Sequence, residues 1–456
     1  MHGDFSRVTF DPARRFSAVL SQQGRVQLDA EINEQTAILL HYLRTLATDL
    51  LGPAAYPPDE DPDGVGAFGV DGYDGDNFTV APGRMYVDGI LCECDGTDYW
   101  NQPDGHLDTE RADDHLPSGP FLVYLRVWER LVTAVEAPWI REVALGTDGP
   151  DTTARTRVVW QLCLLPMERG GPVPDVRKAV RYVRDRIRRR FEPRGMLAAR
   201  TRRPDETPAV SELPPSAGYR APENQLYRVE VHHGGPEGTA TFKWSRENGS
   251  VTLPVRDISG PAVRLDTLGR DDKLGVDTGD VVELVDDATV CRGASDRPDE
   301  GCGRLYTVRE IDYGGYQVLL DADPADDPYL PAAGRVPSRH PLLRRWDHGG
   351  SAWGDGAAEM GLPVREGEWL PLEDGVEIRF EPGEGRSRVY RRGDYWLIPA
   401  RVLTGDVEWP LGHRGRPLPR RPHGIRYHYA PLAYVEPRGG GDFRLVDLRV
   451  PFPPRR

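Results

Sequence analysis

Carboxylates and tryptophans are the residues of this 456-residue chain whose types could do chemistry, since it carries 72 acidic residues and 10 tryptophans. Paired Asp or Glu side chains catalyse glycoside hydrolysis, and aromatic rings line many sugar-binding sites. Spacing along the chain does not show which acids face each other, and acids such as Asp286 and Asp287 stand in turns, where Asp caps the local backbone. The chain has no Walker loop and no His-Glu-x-x-His motif. We therefore predict no catalytic residue and no enzymatic activity, and keep a module that binds or degrades cell-surface polysaccharide as the alternative.

Sparse cysteines and an acidic loop are the candidates for metal binding. Cys92 and Cys94 share one face of a predicted strand and have no second cysteine pair nearby, so we predict that they are core residues. The loop 57–77 is rich in Asp, but its acids do not follow the calcium-loop spacing, and the twelfth position counted from Asp74 is Met85. We interpret this loop as a solvated acidic segment, and we predict no metal site and no cofactor.

The composition disfavours several classes of protein. Glycine (50 residues) and proline (42 residues) punctuate short apolar runs, which favours β structure with many turns. A net charge of -14 disfavours binding to nucleic-acid phosphates. No apolar run approaches membrane-spanning length, and residues 1–7 lack the basic and apolar regions of a signal peptide. We expect no nucleic-acid partner, no membrane insertion, and synthesis and assembly in the cytoplasm.

One long helix is the element on which we expect the rest of the chain to be organised. From Leu39 onward its apolar residues are spaced by four, three and four positions, which is the period of one helix face. They are Ile32, followed by Leu39, Leu43, Leu46 and Leu50. Asp29 is the predicted N-cap, and Gly52 supplies the stop. We favour packing of this face on the chain's own core, and we keep pairing with the same helix of a neighbouring copy as the alternative.

Segments on either side of this helix complete the predicted organisation. Residues 1–20 read as an extended arm with aromatic anchors, which either tucks under its own domain or laces onto a neighbour. After the helix, short strands recur, and the predicted fold class is mainly β with a long N-terminal helix and several small antiparallel β barrels or sandwiches in tandem. Asp88-Gly89 predicts a turn between the strands 84–87 and 90–94, and Asn248-Gly249 predicts a type I′ hairpin turn.

We predict five divisions of the chain from its turns, prolines and apolar runs. They are the arm and helix at 1–52, a first β domain at 53–200 with a basic helix at 172–193 near its end, a Pro-rich linker at 201–222, a second, barrel-like β domain at 223–335, and a third β domain with the C-terminal tail at 336–456.

Several stretches resemble a known family. The opening Gly3-Asp4-Phe5-Ser6-Arg7 with Thr9-Phe10-Asp11-Pro12, and the run from Gln23 to Gln35, are similar to the start of an uncharacterised bacterial domain family encoded alongside phage tail-like contractile injection systems. Later stretches are similar to the same family, so the resemblance covers nearly the whole chain. These stretches are 242–250, 343–347, 372–380, 393–401 and 428–433.

This resemblance implies a structural, non-catalytic component of an injection particle, at its baseplate, spike or fibre-attachment region. The implied partners are other particle subunits and further copies of this chain, as a trimer or hexamer, with release from the cell only within an assembled particle. The expected assembly interface lies on the arm and helix. It comprises Phe5, Phe10, Phe16, Ile32, Gln35, Leu39, Leu43, Leu46 and Leu50.

Overall fold

The computed structural model describes two compact units. The barrel unit comprises residues 1–8, 131–155 and 193–425, and the helix unit comprises residues 9–130, 156–192 and 426–456. All residues are described except 59–64, 147–150, 169–177, 179–180, 183–184, 188–193, 203–217, 270, 272, 292–302, 328–329, 331–332, 349–358, 384, 386–387, 440–441 and 453–456. The predicted linker at 201–222 and the predicted basic helix at 172–193 therefore fall largely outside the described residues, although positions 178, 181–182 and 185–187 are helical.

The long predicted helix is present as α1, Asp29–Leu51, and a second, short helix α2 spans Asp287–Cys291. Asp29 is the first helical residue instead of the N-cap, which is Leu28. The Leu28 N–H donates to the carboxylate of Glu31, so the acid in the first turn does part of the capping. Gly52 ends the helix with φ +85. Short 3₁₀ helices span Pro12–Arg14, Ala112–Asp114, Pro138–Ile140, Val143–Leu145, Pro324–Asp326, Pro337–Arg339 and His413–Gly415.

The first eight strands precede residue 167. They are β1 Ala54–Ala55, β2 Val70–Asp71, β3 Thr79–Val80, β4 Gly83–Val87, β5 Ile90–Cys94, β6 Thr97–Asp98, β7 Phe121–Val132 and β8 Arg155–Pro166. The other sixteen follow residue 196. They are β9 Leu197–Thr201, β10 Gln225–Val231, β11 Thr241–Ser245, β12 Thr252–Ser259, β13 Ala262–Leu265, β14 Val281–Val285, β15 Leu305–Asp312, β16 Gln317–Leu320, β17 Leu342–Trp346, β18 Leu362–Pro363, β19 Leu370–Pro371, β20 Val376–Phe380, β21 Tyr395–Arg401, β22 Asp406–Val407, β23 His428–Gly439 and β24 Asp442–Asp447.

The barrel unit contains a closed six-stranded barrel in the order β12-β13-β16-β15-β14-β17. Beside it lie a five-stranded sheet, β18-β11-β10-β21-β22, and a three-stranded sheet, β19-β20-β9. Apolar side chains of these two sheets form one shared core, in which Phe242 packs against Phe380. Every residue of β10 is buried, so this strand has neighbours on both faces.

The helix unit contains three antiparallel sheets, ordered β24-β23-β7-β8, β1-β4-β5 and β2-β3-β6. Alternate residues of β7 point into two different apolar clusters, so both faces of this strand are covered. The predicted hairpin around Asp88-Gly89 is present between β4 and β5, and both turn residues have positive φ, as a type I′ turn requires.

Pairing between distant strands distributes the predicted third β segment, 336–456, among several sheets. Strand β17 closes the barrel, β21 pairs with β10, β20 pairs with β9, and β23 pairs with β7. Asn248 and Gly249 both have positive φ, but the strands that they connect, β11 and β12, belong to different sheets and do not form a hairpin. The chain is mainly β with several sheets, and its sheets combine segments that are far apart in sequence.

Of the helices that the structure describes, none has the length and apolar character needed to cross a membrane.

Candidate assembly interface

The outward face of α1 is apolar. Its five apolar interface residues from the prediction are 44–65% exposed, whereas the only buried residues of the helix are Ala30 and Ile38. We call this surface the leucine face; it consists of Ile32, Leu39, Leu43, Leu46 and Leu50. A helix normally covers its apolar stripe, because burial stabilises by about 25 cal/mol per Å². The expectation that this face packs on the chain's own core is therefore wrong.

Polar and steric contacts hold the opposite face of α1 against its own unit. The Arg44 guanidinium donates to both carboxylate oxygens of Glu129, at 2.8 and 2.7 Å. Such bidentate pairs fix orientation as well as distance. In the β4–β5 turn, Gly89 has φ +76, and a Cβ atom there would lie 2.4–2.9 Å from backbone atoms of Arg44. The turn therefore touches the helix backbone directly, and the leucines point away from it.

The arm contacts α1 at a few points and leaves its apolar side chains exposed. Thr9 donates through its hydroxyl to the Glu34 carboxylate at 2.6 Å, and the Phe10 ring lies 5.6 Å from the His41 ring, centroid to centroid. The Val19 N–H donates to the side-chain oxygen of Gln35 at 2.6 Å. From residue 15 to residue 28 the chain forms no helix or strand and has a turn at 23–24. The arm is thus held beside the helix without being packed into a core.

The predicted interface residues separate into three groups. The five helix residues form one continuous exposed face, to which exposed Phe16 of the arm can add apolar surface. Phe10 and Gln35 instead make the arm-to-helix contacts within the chain. Phe5 belongs to the barrel unit, where its ring lies against Gly3. The structure therefore places the five helix residues on one face of α1 and assigns Phe5 to a different region.

A groove lies beside the leucine face, and we call it the helix groove. It has a volume of about 740 Å³ and is open to solvent along one side. Its walls are Leu40, Leu43 and Arg44 of α1, the 89–97 segment that contains β5, and Asn101, Pro103, Asp104, Arg157, Val158 and Trp160. Because Leu43 belongs to both, the groove and the leucine face form one continuous surface.

The barrel unit contains a second unusual site, a set of charged and polar side chains in its interior. We call it the ionic cluster, and it consists of His2, Arg228, Glu230, Lys243 and Glu283. The Lys243 ammonium donates to Glu283 at 2.7 Å and lies 3.5 Å from Glu230. The Arg228 guanidinium donates to Glu230 at 2.6 Å, and its carbon lies 3.6 Å from the Tyr395 ring centroid. These opposite charges neutralise one another within one chain.

Burial and pairing shift the pKa values of this cluster in opposite directions. Burial favours the neutral form of Glu230, but Arg228, followed by His2 and Lys243, outweighs it and holds the pKa of this carboxyl well below its usual range. The same competition, in which Lys243 outweighs burial, lowers the pKa of Glu283 to about 2. Burial next to Arg228 lowers the pKa of His2, so its neutral ring donates from Nε2 to Glu230 at 2.9 Å. Both carboxylates are therefore ionised at neutral pH.

The sequence of β10 does not reveal the ionic cluster, because its alternating pattern is typical of a half-exposed strand. In β10, charged Arg228 and Glu230 alternate with apolar Val229 and Val231, which usually indicates one face in water. Here the charged face is covered as well. One signal was available: Glu230 and Lys243 lie directly opposite each other in the β10–β11 register.

The other candidate residues have structural partners. Cys92 and Cys94 are buried, and burial raises the pKa of the Cys92 thiol to about 12. In the acidic loop, the Asp74 carboxylate accepts the backbone N–H groups of Asp76 and Asn77, which lower its pKa. Of the nine tryptophans that the structure describes, only Trp139 is exposed. The exposed aromatic surface that the alternative, a sugar-binding module, would need is therefore not formed by the described tryptophans.

The fold and the site together define a mostly β protein in which the long helix α1 presents an apolar face to solvent. Residues 1–201 and 174–442 match a family of unknown function, DUF6519, and the chain belongs to that family. No curated protein and no solved structure matches this chain.

Proposed function

We propose that this protein is a structural, non-catalytic subunit that self-associates through the leucine face of α1. The observation that carries the proposal is the exposure of this face, in a helix that buries only Ala30 and Ile38. Contiguous exposed apolar surface is rare on soluble monomers and marks protein interfaces. Covering the leucines in an assembly restores the burial that the single chain lacks.

The occupant that fits this face best is the same face of a second copy. Spacings of four, three and four residues put Leu39, Leu43, Leu46 and Leu50 at the core positions of a helix pair or bundle. The seam covers fewer than three heptads, so further contacts must contribute to a stable oligomer. In a closed ring of three or six copies, the leucine face of each copy is covered by the leucine face or by another surface of a neighbouring copy.

The kind of assembly is proposed from the resemblance of the arm and helix to components of phage tail-like contractile injection particles. On this proposal the chain sits at the baseplate, spike or fibre-attachment region, and its partners are other particle subunits. Assembly would take place in the cytoplasm, and the chain would reach the outside within a released particle. The pairing of the interior charges with one another supports a structural role for them instead of a catalytic one.

The experiment that tests self-association compares three forms of the full chain by light scattering over a range of concentrations. The test variant is Leu43→Glu/Leu46→Glu, which puts two charges on the leucine face. The control is Leu403→Glu, because Leu403 is 97% exposed and belongs to the barrel unit. We expect the wild type and the control to form a trimer or hexamer and the test variant to be monomeric, with all three giving the same circular dichroism spectrum.

A wild-type chain that is monomeric at every concentration would overturn self-association, and an oligomer that survives Leu43→Glu/Leu46→Glu would place the interface elsewhere. The particle is tested separately. Contractile particles purified from the producing cells should contain this chain at a fixed ratio to their tube protein, measured by mass spectrometry. Particles without it would contradict this part of the proposal.

A further inference from the structure

We propose that the helix groove binds the arm of a second copy, residues 13–28. This inference rests on the proposed function and adds to it the partner segment and the surface that receives it. It provides the contacts that the short helix seam lacks. The argument combines the shape and charge of the groove, the open edge of β5, and the composition of the arm.

The groove has an apolar floor and an acidic rim. Leu40 and Leu43 line it from the helix, and Leu91 lines it from β5. All three are more than a third exposed in the single chain. On the rim, Glu93 and Asp95 are exposed and form no ion pair with any described residue. The cross-strand neighbour of Glu93, an arginine on β4, lies outside the groove.

The two arginines of the groove are already paired. Arg44 is held by Glu129, and Arg157 donates to Asp104 at 3.3 Å. The positive charges of these arginines are therefore compensated by acids of the same unit. The negative charges of Glu93 and Asp95 have no such compensation among the described residues. The surface that remains favours a ligand segment that is both apolar and basic.

One wall of the groove is an open sheet edge. Strand β5 stands at the end of its sheet, and among the described strands it pairs with β4 alone. In a hairpin with a two-residue turn, alternate residues bond the partner strand, so Leu91 and Glu93 direct their backbone groups outward. The Trp160 indole N–H donates to the Glu93 carbonyl at 2.9 Å. The N–H and C=O of Leu91 remain for an added extended segment, which is how many peptides bind sheet edges.

The arm has the composition that this surface requires. Residues 12–28 contain Arg14, Arg15 and Arg25 and no acidic residue, and these arginines form no ion pair with any described residue. The stretch 15–20 forms neither a helix nor a strand, and it carries Phe16 and Leu20. Their side chains are 58% and 83% exposed. The arm therefore offers an apolar edge with basic ends.

A second copy is favoured over the same chain because the arm is already fixed beside its own helix. The bond from the Val19 N–H to Gln35 holds the middle of the arm, and Phe16 and Leu20 on either side of it point to solvent. When two leucine faces meet, each arm is brought alongside the groove of the other copy, since groove and face share Leu43. If two copies exchange their arms in this way, each arm covers the helix groove of the other copy beside the paired leucine faces.

The experiment uses charge reversal in the full chain and measures the dissociation constant of the oligomer by light scattering at low salt. The arm variant is Arg14→Glu/Arg15→Glu/Arg25→Glu, and the groove variant is Glu93→Arg/Asp95→Arg. We expect each to weaken association by about tenfold or more, because like charges then meet at the docked surface. A chain carrying both sets of changes should regain most of the lost affinity, and the effects should shrink at high salt.

The control for the groove variant is Glu110→Arg/Asp442→Arg, which reverses two exposed acids of the same unit outside the groove. It should leave the dissociation constant unchanged. Should the combined variant fail to fold by circular dichroism, an equimolar mixture of the arm and groove variants replaces it. In that mixture the acidic arm of one chain meets the basic groove of the other, and mixed oligomers should form.

Charge variants that associate as tightly as the wild type would overturn arm docking while leaving self-association through the leucine face intact. The same holds for a combined variant, or a mixture, that shows no recovery. A wild type that does not associate at all would overturn both proposals. The two are thus separated by comparing these variants with Leu43→Glu/Leu46→Glu, which removes association whichever way the arm lies.

Discussion

The leucine face of α1 and the ionic cluster of the barrel unit each place side chains where folding alone does not favour them. In the helix unit, five large apolar residues lie in solvent. In the barrel unit, Lys243, Arg228 and two glutamates lie in the interior. Apolar exposure forgoes stabilisation, and charge burial costs several kcal/mol per ion unless partners compensate it.

The difference between them is whether the partner is present in the chain. Glu283 accepts from both Lys243 and the Trp346 indole, so the cluster is complete within one copy. The leucine face has no covering surface among the described residues of its unit. The interior charges therefore bear on how this chain folds, and on the proposed function the exposed leucines bear on how folded copies associate. Substitutions in the two regions should have opposite effects on unfolding and on association.

The largest effect on folding is expected from Lys243→Met. It removes the closest cation from Glu283 and one of the cations near Glu230, leaving buried carboxylates undercompensated. Loss of one member of a buried ion pair costs about 3–5 kcal/mol in the free energy of unfolding, which urea denaturation would measure. Arg256→Met is the control, because its pair with Asp266 is exposed and should contribute less than about 1 kcal/mol. Equal losses in the two variants would show that the buried ion pairs of Lys243 stabilise the fold no more than the exposed pair does.

Acid should weaken folding next most strongly, through histidines of the barrel unit. Burial lowers the pKa of His348 from 6.5 to about 3, and burial followed by the Lys243 charge lowers the pKa of His232 as well. The unfolded chain takes up protons below pH 6.5 while the folded chain does not, so stability present above 6.5 is lost as pH falls toward 3. The depressed pKa of Glu283 adds a further loss between 4.5 and about 2.

We therefore expect the melting temperature to fall steadily from pH 7 to pH 4, and His348→Gln to flatten this dependence. Both ring nitrogens of His348 are buried without a hydrogen-bond partner among the described residues, so the substitution removes a titrating group without breaking a bond. A melting temperature that is constant over this range would contradict the predicted loss of stability in acid. A His348→Gln profile parallel to that of the wild type would show that His348 does not cause the loss.

The smallest effect on folding is expected at the leucine face itself. In dilute, monomeric samples Leu39→Gln should change the free energy of unfolding by no more than about 0.5 kcal/mol, because the side chain is already in water. Ile38→Gln is the matched control on the adjacent position, which is buried, and it should cost about 2 kcal/mol or more. If Leu39→Gln were as costly as Ile38→Gln, the face would have a covering surface within its own chain.

Local patterns predicted the elements of this fold well. The period from Leu39 to Leu50 and the stop at Gly52 identified α1 to its last residue, and Asp88-Gly89 identified the β4–β5 hairpin. Such features are decided by neighbours in sequence. The mainly β composition likewise followed from recurring turns and short apolar runs.

Contacts between distant residues account for what sequence could not predict. The helix period shows that α1 has an apolar face, but it does not show in which direction that face points. The direction depends on the bond from Arg44 to Glu129, which lies 85 residues further along the chain. The strand that closes the barrel, β17, comes from the segment predicted as a separate domain. The alternating charges of β10 are typical of a strand with one face in solvent, whereas every residue of β10 is buried.

The close approach of Gly89 to the backbone of Arg44 bears on how fast an assembly of this protein would form. Because main-chain atoms meet there, α1 already has a fixed place in the free chain, and the leucine face is organised before any encounter. Association then requires little loss of conformational entropy in the helix, and its rate is set by collision and orientation. A side chain at residue 89 would clash with the backbone of Arg44, so either the turn or the helix would have to shift, and on the proposed function a shifted helix would misalign the leucine faces of two copies.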